Sequence, residues 1–423
     1  MADNSVYVVG VGMTKFEKPL TRNWDYPDMA REAGTAALND AGIPYNLVDA
    51  VAASYCYGEP TSGQRAVYEL GLTGVPVFNT NNNCSSASSA IMLARLMVLS
   101  EQYQCVLAVG FEKMERGLSE KFQDRASPIR RHVSHMEKMG AKPGLVNPRL
   151  NAVTSDIIKM FAYAAREHTQ KYGTSLQQYA KISHKNHKQS AHNPYASIRK
   201  EIPMDKITSR MVCDPISLVM SSPTADGSAA AVICSKAFMM SHGLQDKAVE
   251  IIAQQMVTDM PSSFGNTYRN VCGYDMAKKA AQFCYKSSGL TPRDVDVFEV
   301  HDCFSCNELF MYEALGLCSE GKGGQLIDEA EWIPNKAGGE ICRLGRRWIV
   351  NPSGGLESKG HPIGATGLAQ CAELVWQLRG EAGKRQVDGA RIALQHNFGI
   401  GGAAVVTMYR TYKPRSPTTT AKL

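Results

Sequence analysis

The chain contains no run approaching the ~18 uninterrupted apolar residues that a membrane-spanning helix needs, and it opens Met-Ala-Asp-Asn-Ser with no charged-then-apolar leader. A soluble, non-secreted protein without a membrane span is the expectation. A strong charge of one sign is also missing: 46 Lys and Arg stand against 40 Asp and Glu, a net +6 spread along the chain. That excess is too small and too scattered for a nucleic-acid partner, although it suits a small anionic ligand. The 12 cysteines show no regular framework spacing, which in a reducing compartment predicts free thiols, most of them buried as small apolar groups. What remains is ordinary globular composition, with 44% hydrophobic and 20% charged residues over 423 positions. That length builds about two to three core-forming units and excludes disorder as the main state.

The chain repeats itself once. Residues 31–51 (REAGTAALNDAGIPYNLVDAV) align with 278–298 (KKAAQFCYKSSGLTPRDVDVF), matching Gly42 with Gly289, Val48 with Val295 and Asp49 with Asp296. Each copy reads as an amphipathic helix ended by Gly, a turn and an apolar strand. Later segments correspond too: strand 75–80, helix 85–99 and strand 105–109 match 348–350, 365–378 and 391–395. Both helices are small or apolar on nearly every side, which marks them as buried and places them side by side in the centre. The fold class is therefore α/β, two similar halves packed face to face. Residues 1–235 form the first half, with a core of 1–112 and 226–235; residues 236–410 form the second, and 411–423 a flexible tail. The charge-rich, Pro- and Gly-punctuated stretch 113–225 reads as a loop lobe inserted over the core, a substrate cover.

Four clusters carry candidate chemistry. Cys84 follows three Asn where a strand ends and a buried helix begins, so the helix N–H groups and dipole are expected to lower its thiol below about 8.5. The competing reading is a packing cysteine. The matching helix start in the second half is preceded by Asn351-Pro-Ser-Gly-Gly355 and Ser358-Lys-Gly-His361-Pro362, where His361 sits on a rigid turn as a candidate base. A twofold relation of the halves would bring it to Cys84. His301-Asp302-Cys303-Phe304-Ser305-Cys306 ends an apolar strand. His301, Cys303, Cys306 and Cys318 could ligate zinc; alternatively His301 and Cys303 point together into the pocket of Cys84 and His361. The Gly-rich turn within Gln395–Gly402 offers N–H groups for an oxyanion, or is a hairpin that needs Gly for backbone reasons alone.

In order and spacing, these clusters resemble the thiolase family, specifically its sterol carrier protein 2 type without the sterol carrier domain. Cys84-Ser85-Ser86 is similar to the family's Cys-x-Ser motif, residues 351–367 to its Gly-His-Pro block, and His301-Asp302-Cys303-Phe304 to the signature of this type. Most thiolases have Asn-Glu-x-Phe in the last position and a Cys-x-Gly motif where this chain has Asn397-Phe398-Gly399. The resemblance implies a five-layer αβαβα fold and a 3-ketoacyl-CoA thiolase acting through a Cys84 acyl-enzyme, with Cys303 replacing the usual second cysteine. It implies that the N–H groups of Cys84 and Gly399 hold one oxyanion and His301 and His361 the other. Ser222, Asn397 and Ser353 would contact substrate, coenzyme A would be a substrate rather than a cofactor, and no metal would be required. Arg125, Arg130, Arg131, Lys181, Lys185, Lys188 and His184 are cations available to the CoA phosphates, or simply a solvated basic face. The resemblance also implies a homodimer. The final Ala421-Lys422-Leu423 is close to the Ser-Lys-Leu peroxisomal address, which suggests an import receptor as partner and a peroxisome or related organelle, otherwise cytoplasm or mitochondrion, as location. A non-catalytic acyl-CoA- or lipid-binding protein of the same fold is the alternative.

Overall fold

The structure, a computed structural model, describes residues 4–114, 124–142 and 155–412. The tail tripeptide 421–423 lies outside them. The first half supplies β1 (Val6–Met13), α1 (Tyr26–Ala41), β2 (Ala50–Ser54), β3 (Val77–Thr80), α2 (Ser86–Leu99) and β4 (Cys105–Glu112). Within the inserted stretch lie α3 (Pro128–Lys138), α4 (Asp156–Tyr172) and α5 (Leu176–Ser190) before β5 (Gly227–Ser235) completes the half. The second half comprises β6 (Val249–Thr258), α6 (Tyr274–Ser288), β7 (Val297–Glu299), α7 (Ser305–Ala314), α8 (Thr366–Arg379), β8 (Ile392–Gly399) and β9 (Ala403–Thr411).

The nine strands run β3-β2-β4-β5-β1-β6-β9-β8-β7. The order is a near-palindrome. The parallel pair β2/β4 answers to β7/β8, and the antiparallel pairs β4/β5 and β5/β1 to β8/β9 and β9/β6. The halves join at β1 and β6 through only two residue pairs, Tyr7 with Glu250 and Val8 with Val249. Residues 348–350, expected as a strand, contribute a single parallel bridge from Val350 to Phe298, at the position β3 occupies in the other half.

Period-two alternation explains the layering. In β4, Leu107 and Val109 turn toward α1, with Ala33 and Ala37, while Val106 and Ala108 turn toward α2 and α8, with Ala90, Ala94 and Leu368. On the far side, α6 packs on β6 and β9. The layers are thus α1, first sheet half, α2 with α8, second sheet half, α6: the five-layer arrangement. In α8 only Trp376 and Arg379 escape burial, whereas α2 leaves Leu96 48% exposed, so the two central helices are not equally enclosed.

The internal repeat extends to individual hydrogen bonds. Asp25 and Asp28 form a capping box at the start of α1, and Gly42 and Gly289 end α1 and α6 in the left-handed region, at φ 76° and 69°. Asp49 accepts from the backbone N–H groups of Gln104 and Cys105 at 2.8 and 3.0 Å; Asp296 accepts from those of Arg391 and Ile392 at 2.7 and 3.0 Å. Each carboxylate clamps the entry of the strand beside its own.

The inserted stretch is less of a cover than its composition suggests. In α5, Lys185, Asn186 and His187 are buried, and Lys185 pairs with Glu308 of α7 at 2.7 Å. The basic character of this helix is engaged by carboxylates of the same chain, because Lys181 pairs with Asp328 and Lys188 with Glu340 at the surface. Asp49→Ala and Asp296→Ala should each lower stability by about 1–2 kcal/mol, since each strands two backbone donors. Urea denaturation measures this, and an unchanged midpoint in both variants would refute the clamp.

Candidate active site

The three asparagines before Cys84 build the turn that carries the chain from β3 into α2. Asn81 accepts from the N–H of Asn83 at 3.1 Å, Asn82 donates to Ser89 Oγ at 2.9 Å, and Asn83, at φ 51°, donates to the Ile400 carbonyl at 3.0 Å. Polar side chains are needed there because the turn's backbone has no helix or sheet to satisfy it. The turn seats Cys84 at the head of α2 with 2% exposure.

His361 reaches the same point from the other half. Gly360 before it stands at φ 101°, a left-handed conformation that favours glycine, with Ala225 packed against it. The approach of the halves is set by Gly367 in α8, where a Cβ would collide with the Ser88 hydroxyl and the Asn397 amide oxygen. As a result the ligating atoms of Cys84, His301 and His361 lie within 4.8 Å of one another, and the two imidazoles meet edge to face with centroids 5.2 Å apart.

The hydrogen bonds of His361 define its tautomer. Thr366 donates its hydroxyl proton to the Pro362 carbonyl at 2.9 Å, so at 2.6 Å it accepts from His361 Nδ1–H. Nε2 therefore carries the lone pair, and no protein group engages it. Burial pushes His361 down to about 3.

Cys84 departs from expectation. Burial outweighs the N–H groups of Ile400 and of Cys84 itself that point at the sulfur, and the thiol is pushed up to about 12 rather than lowered by the helix. Thiol and imidazole are both neutral at rest, for the same reason: burial disfavours the charged form of each.

Asp302 anchors the motif between its neighbours. It accepts from the N–H groups of Leu356 and Glu357 at 2.7 and 3.2 Å, at the start of the short helix Gly355–Lys359 that leads into His361. The second candidate thiol, Cys303, is buried beyond the 4.8 Å cluster. Its thiol is pushed well up, first by burial and then by interaction with Cys84.

Other expected residues have different tasks. Gly399 lies against the Asn82 carbonyl and Ser85 with no room for a side chain, and the N–H that reaches the Cys84 sulfur from this turn is that of Ile400. Ser353 donates to Glu299 through both N–H and hydroxyl and accepts from Lys359, so it is internal. Asn397 is fully buried between Ser88 and His301, and the Ser222 N–H is bonded to the Cys303 carbonyl. Among the candidate cations, Arg130 pairs with Asp156, Arg131 lies over the Phe264 ring, and His184 faces Glu201. Arg125, paired with Asp124, lines the adjoining cavity. The zinc set His301, Cys303, Cys306 and Cys318 does not assemble; among the described residues the cluster of metal-ligating type is Cys84, His301 and His361.

A cavity of about 570 Å3 opens beside this cluster, lined by the Asn81–Asn83 turn, Gly399–Ala403, Pro128, Ile129 and Ile157. Two residues at its edge were not anticipated. Cys56 lines it and shares the hydrogen bonds of Asn81, Asn83 and Ser86. Glu112, buried at the end of β4, accepts from the N–H groups of Cys56, Tyr57 and Gly364 at 3.0, 2.9 and 3.0 Å, tying β2 to the His361 loop. An acidic residue ending an apolar strand was the signal available, the same one that singled out His301 and Asp302.

The chain belongs to the thiolase family: the thiolase N-terminal domain model matches residues 6–214, and the thiolase C-terminal domain-like model residues 265–409. Members of this family are acyltransferases. The chain is 53% identical to sterol carrier protein 2 of Bos taurus over 421 residues, covering 98% of this chain and 74% of that protein. It is 45% identical to non-specific lipid-transfer protein-like 2 of Caenorhabditis elegans, covering 96% of each, and 35% identical to acetyl-CoA acetyltransferase of Methanothermobacter thermautotrophicus, covering 96% and 99%. Human mitochondrial 3-ketoacyl-CoA thiolase shares the fold, with a TM-score of 0.68 at 16% identity over 97% of this chain and 99% of that one. No helix among the described residues is long and apolar enough to cross a membrane.

Burial raises the Glu112 carboxyl to about 7 against the three N–H groups that pull it down. A carboxyl held above its unfolded value favours the fold at low pH, and that contribution is lost as pH rises from about 4.5 to 7. Glu112→Gln should flatten the stability-pH curve over this window by about 3 kcal/mol. Urea midpoints of both proteins at several pH values measure the difference; parallel curves would contradict it.

Proposed function

We propose that the chain is a 3-ketoacyl-CoA thiolase, cleaving its substrate with free CoA in the β-oxidation of fatty or branched and sterol side-chain acyl groups. The observation that carries this reading is the placement of one buried thiol within 4.8 Å of two imidazoles at the meeting point of the halves. Cys84 is the nucleophile. As its sulfur attacks the 3-keto carbon, the proton passes to the lone pair of His361 Nε2, so the charged thiolate never has to persist in a buried position that disfavours it.

The tetrahedral oxyanion is met by the N–H of Cys84 and the turn that begins at Gly399. The C2–C3 bond then breaks, leaving the acyl group on Cys84 and an enolate on the departing acyl-CoA. His361, now carrying a proton on Nε2, and His301 donate to the enolate's thioester oxygen. Cys303 protonates C2, then takes the thiol proton of incoming CoA, whose sulfur attacks the acyl-enzyme; Cys84 leaves as the thiolate and takes back its proton from His361 Nε2. Coenzyme A is substrate, and this scheme needs no resident cofactor.

We extend the reading to a homodimer and to import into peroxisomes through Ala421-Lys422-Leu423. The 3-ketoacyl-CoA chromophore gives a direct assay of turnover. Cys84→Ala should be inactive, and Cys303→Ala should lose about 100-fold or more in kcat, the scale of general acid-base catalysis. Normal thiolysis by Cys303→Ala would remove it from the mechanism. Absence of thiolysis in the unaltered protein, across straight-chain, 2-methyl-branched and sterol side-chain substrates, would favour a binding protein.

A further inference from the structure

His301 presents Nε2 to the site with no protein partner, and what that atom can do depends on whether it carries a proton. The answer lies in a buried chain of hydrogen bonds behind the ring. The Tyr409 hydroxyl donates to Gln395 Oε1 at 2.7 Å, which orients the Gln395 amide. Its Nε2 then donates to the Gly367 carbonyl at 2.7 Å and to Ser88 Oγ at 2.8 Å. Having accepted from Gln395, Ser88 gives its single proton to Asn397 Oδ1 at 2.6 Å. The Asn397 amide nitrogen therefore faces His301 Nδ1, at 3.3 Å.

An amide N–H can only donate, so His301 Nδ1 holds a lone pair and the neutral ring carries its proton on Nε2. Turning the Asn397 amide over would leave the Ser88 hydroxyl proton without an acceptor. Tyr409, Gln395, Ser88, Asn397 and His301 are all fully buried, so water cannot repair a mismatch.

We propose that Ser88 and Asn397 are positioning residues that lock His301 in its Nε2–H form, making it a hydrogen-bond donor aimed at the space in front of Cys84. The two imidazoles thus start in opposite states, His361 with a lone pair and His301 with a proton. The catalytic consequence rests on the thiolase reading; the tautomer itself does not.

Long-range proton-nitrogen correlation spectra of protein labelled with nitrogen-15 in histidine report the tautomer, with His301 assigned by comparison with His301→Asn. The expected result is a proton on Nε2 in the unaltered protein. In Asn397→Asp, whose carboxylate only accepts, the proton should move to Nδ1; in Ser88→Ala the freed amide should leave a mixture of both forms. In the turnover assay Asn397→Asp should lose about 100-fold in kcat with little change in KM, the scale of a lost oxyanion donor, and Ser88→Ala should lose kcat only in proportion to its share of the Nδ1–H form. A proton on Nδ1 in the unaltered protein overturns the proposal, as does a Ser88→Ala spectrum identical to it. These spectra decide the matter even if Asn397→Asp does not fold or no substrate is turned over.

Discussion

Everything at the centre of this molecule depends on how closely α2 and α8 approach. Gly367 lies where any side chain would strike Ser88 and Asn397, and the contact brings the first turn of one helix against the first turn of the other. Cys84 heads the first and the His361 loop feeds the second, so a packing constraint in the core becomes a chemical constraint on the cluster of Cys84, His301 and His361. The same closeness buries both groups, and burial sets the resting state, with the thiol pushed up to about 12 and the imidazole down to about 3.

Holding two loops in such a site requires buried polar anchors, and the inserted stretch provides part of them. Asn186 in α5 donates to Asp302 and Glu308, Lys185 balances Glu308, and Gln189 donates to the Asn351 carbonyl. Asp302 in turn fixes the short helix before His361, and Lys359 pairs with Glu299 at 3.4 Å. Acidic groups here outnumber basic ones, and burial followed by the Glu308 charge holds Asp302 well above the usual carboxylate range. The stretch that reads as a cover is also the second half's foundation.

Much of this was legible in the residues. The repeat located both halves, and the Asp49 and Asp296 match proved accurate to single hydrogen bonds, because a short carboxylate at a strand entry leaves a fixed mark in sequence. Helix 85–99 and helix 365–378 emerged within a residue as Ser86–Leu99 and Thr366–Arg379. The meeting of Cys84 and His361 followed from the twofold relation, and His301 from its place past the end of an apolar strand. What sequence hid was burial. Without knowing how deeply these residues lie, the helix dipole suggested a lowered Cys84 thiol, Ser353 and Asn397 looked like substrate contacts, and Lys185 looked like a solvated cation. Ser353, Asn397 and Lys185 have partners 54, 309 and 165 positions away, which no local pattern encodes. Glu112 escaped notice for the same reason: its three N–H partners come from two other loops.

On the proposed reading, the meeting of Cys84 with His301 and His361 makes Cys84, and no other thiol, the acyl acceptor. Incubation with a 3-ketoacyl-CoA in the absence of free CoA, followed by proteolysis and mass spectrometry, locates the acyl group directly. The expected result is a single thioester on the peptide containing Cys84, discharged when CoA is added. An adduct on Cys56 or Cys303 instead, or a Cys84 adduct that CoA does not discharge, would contradict it.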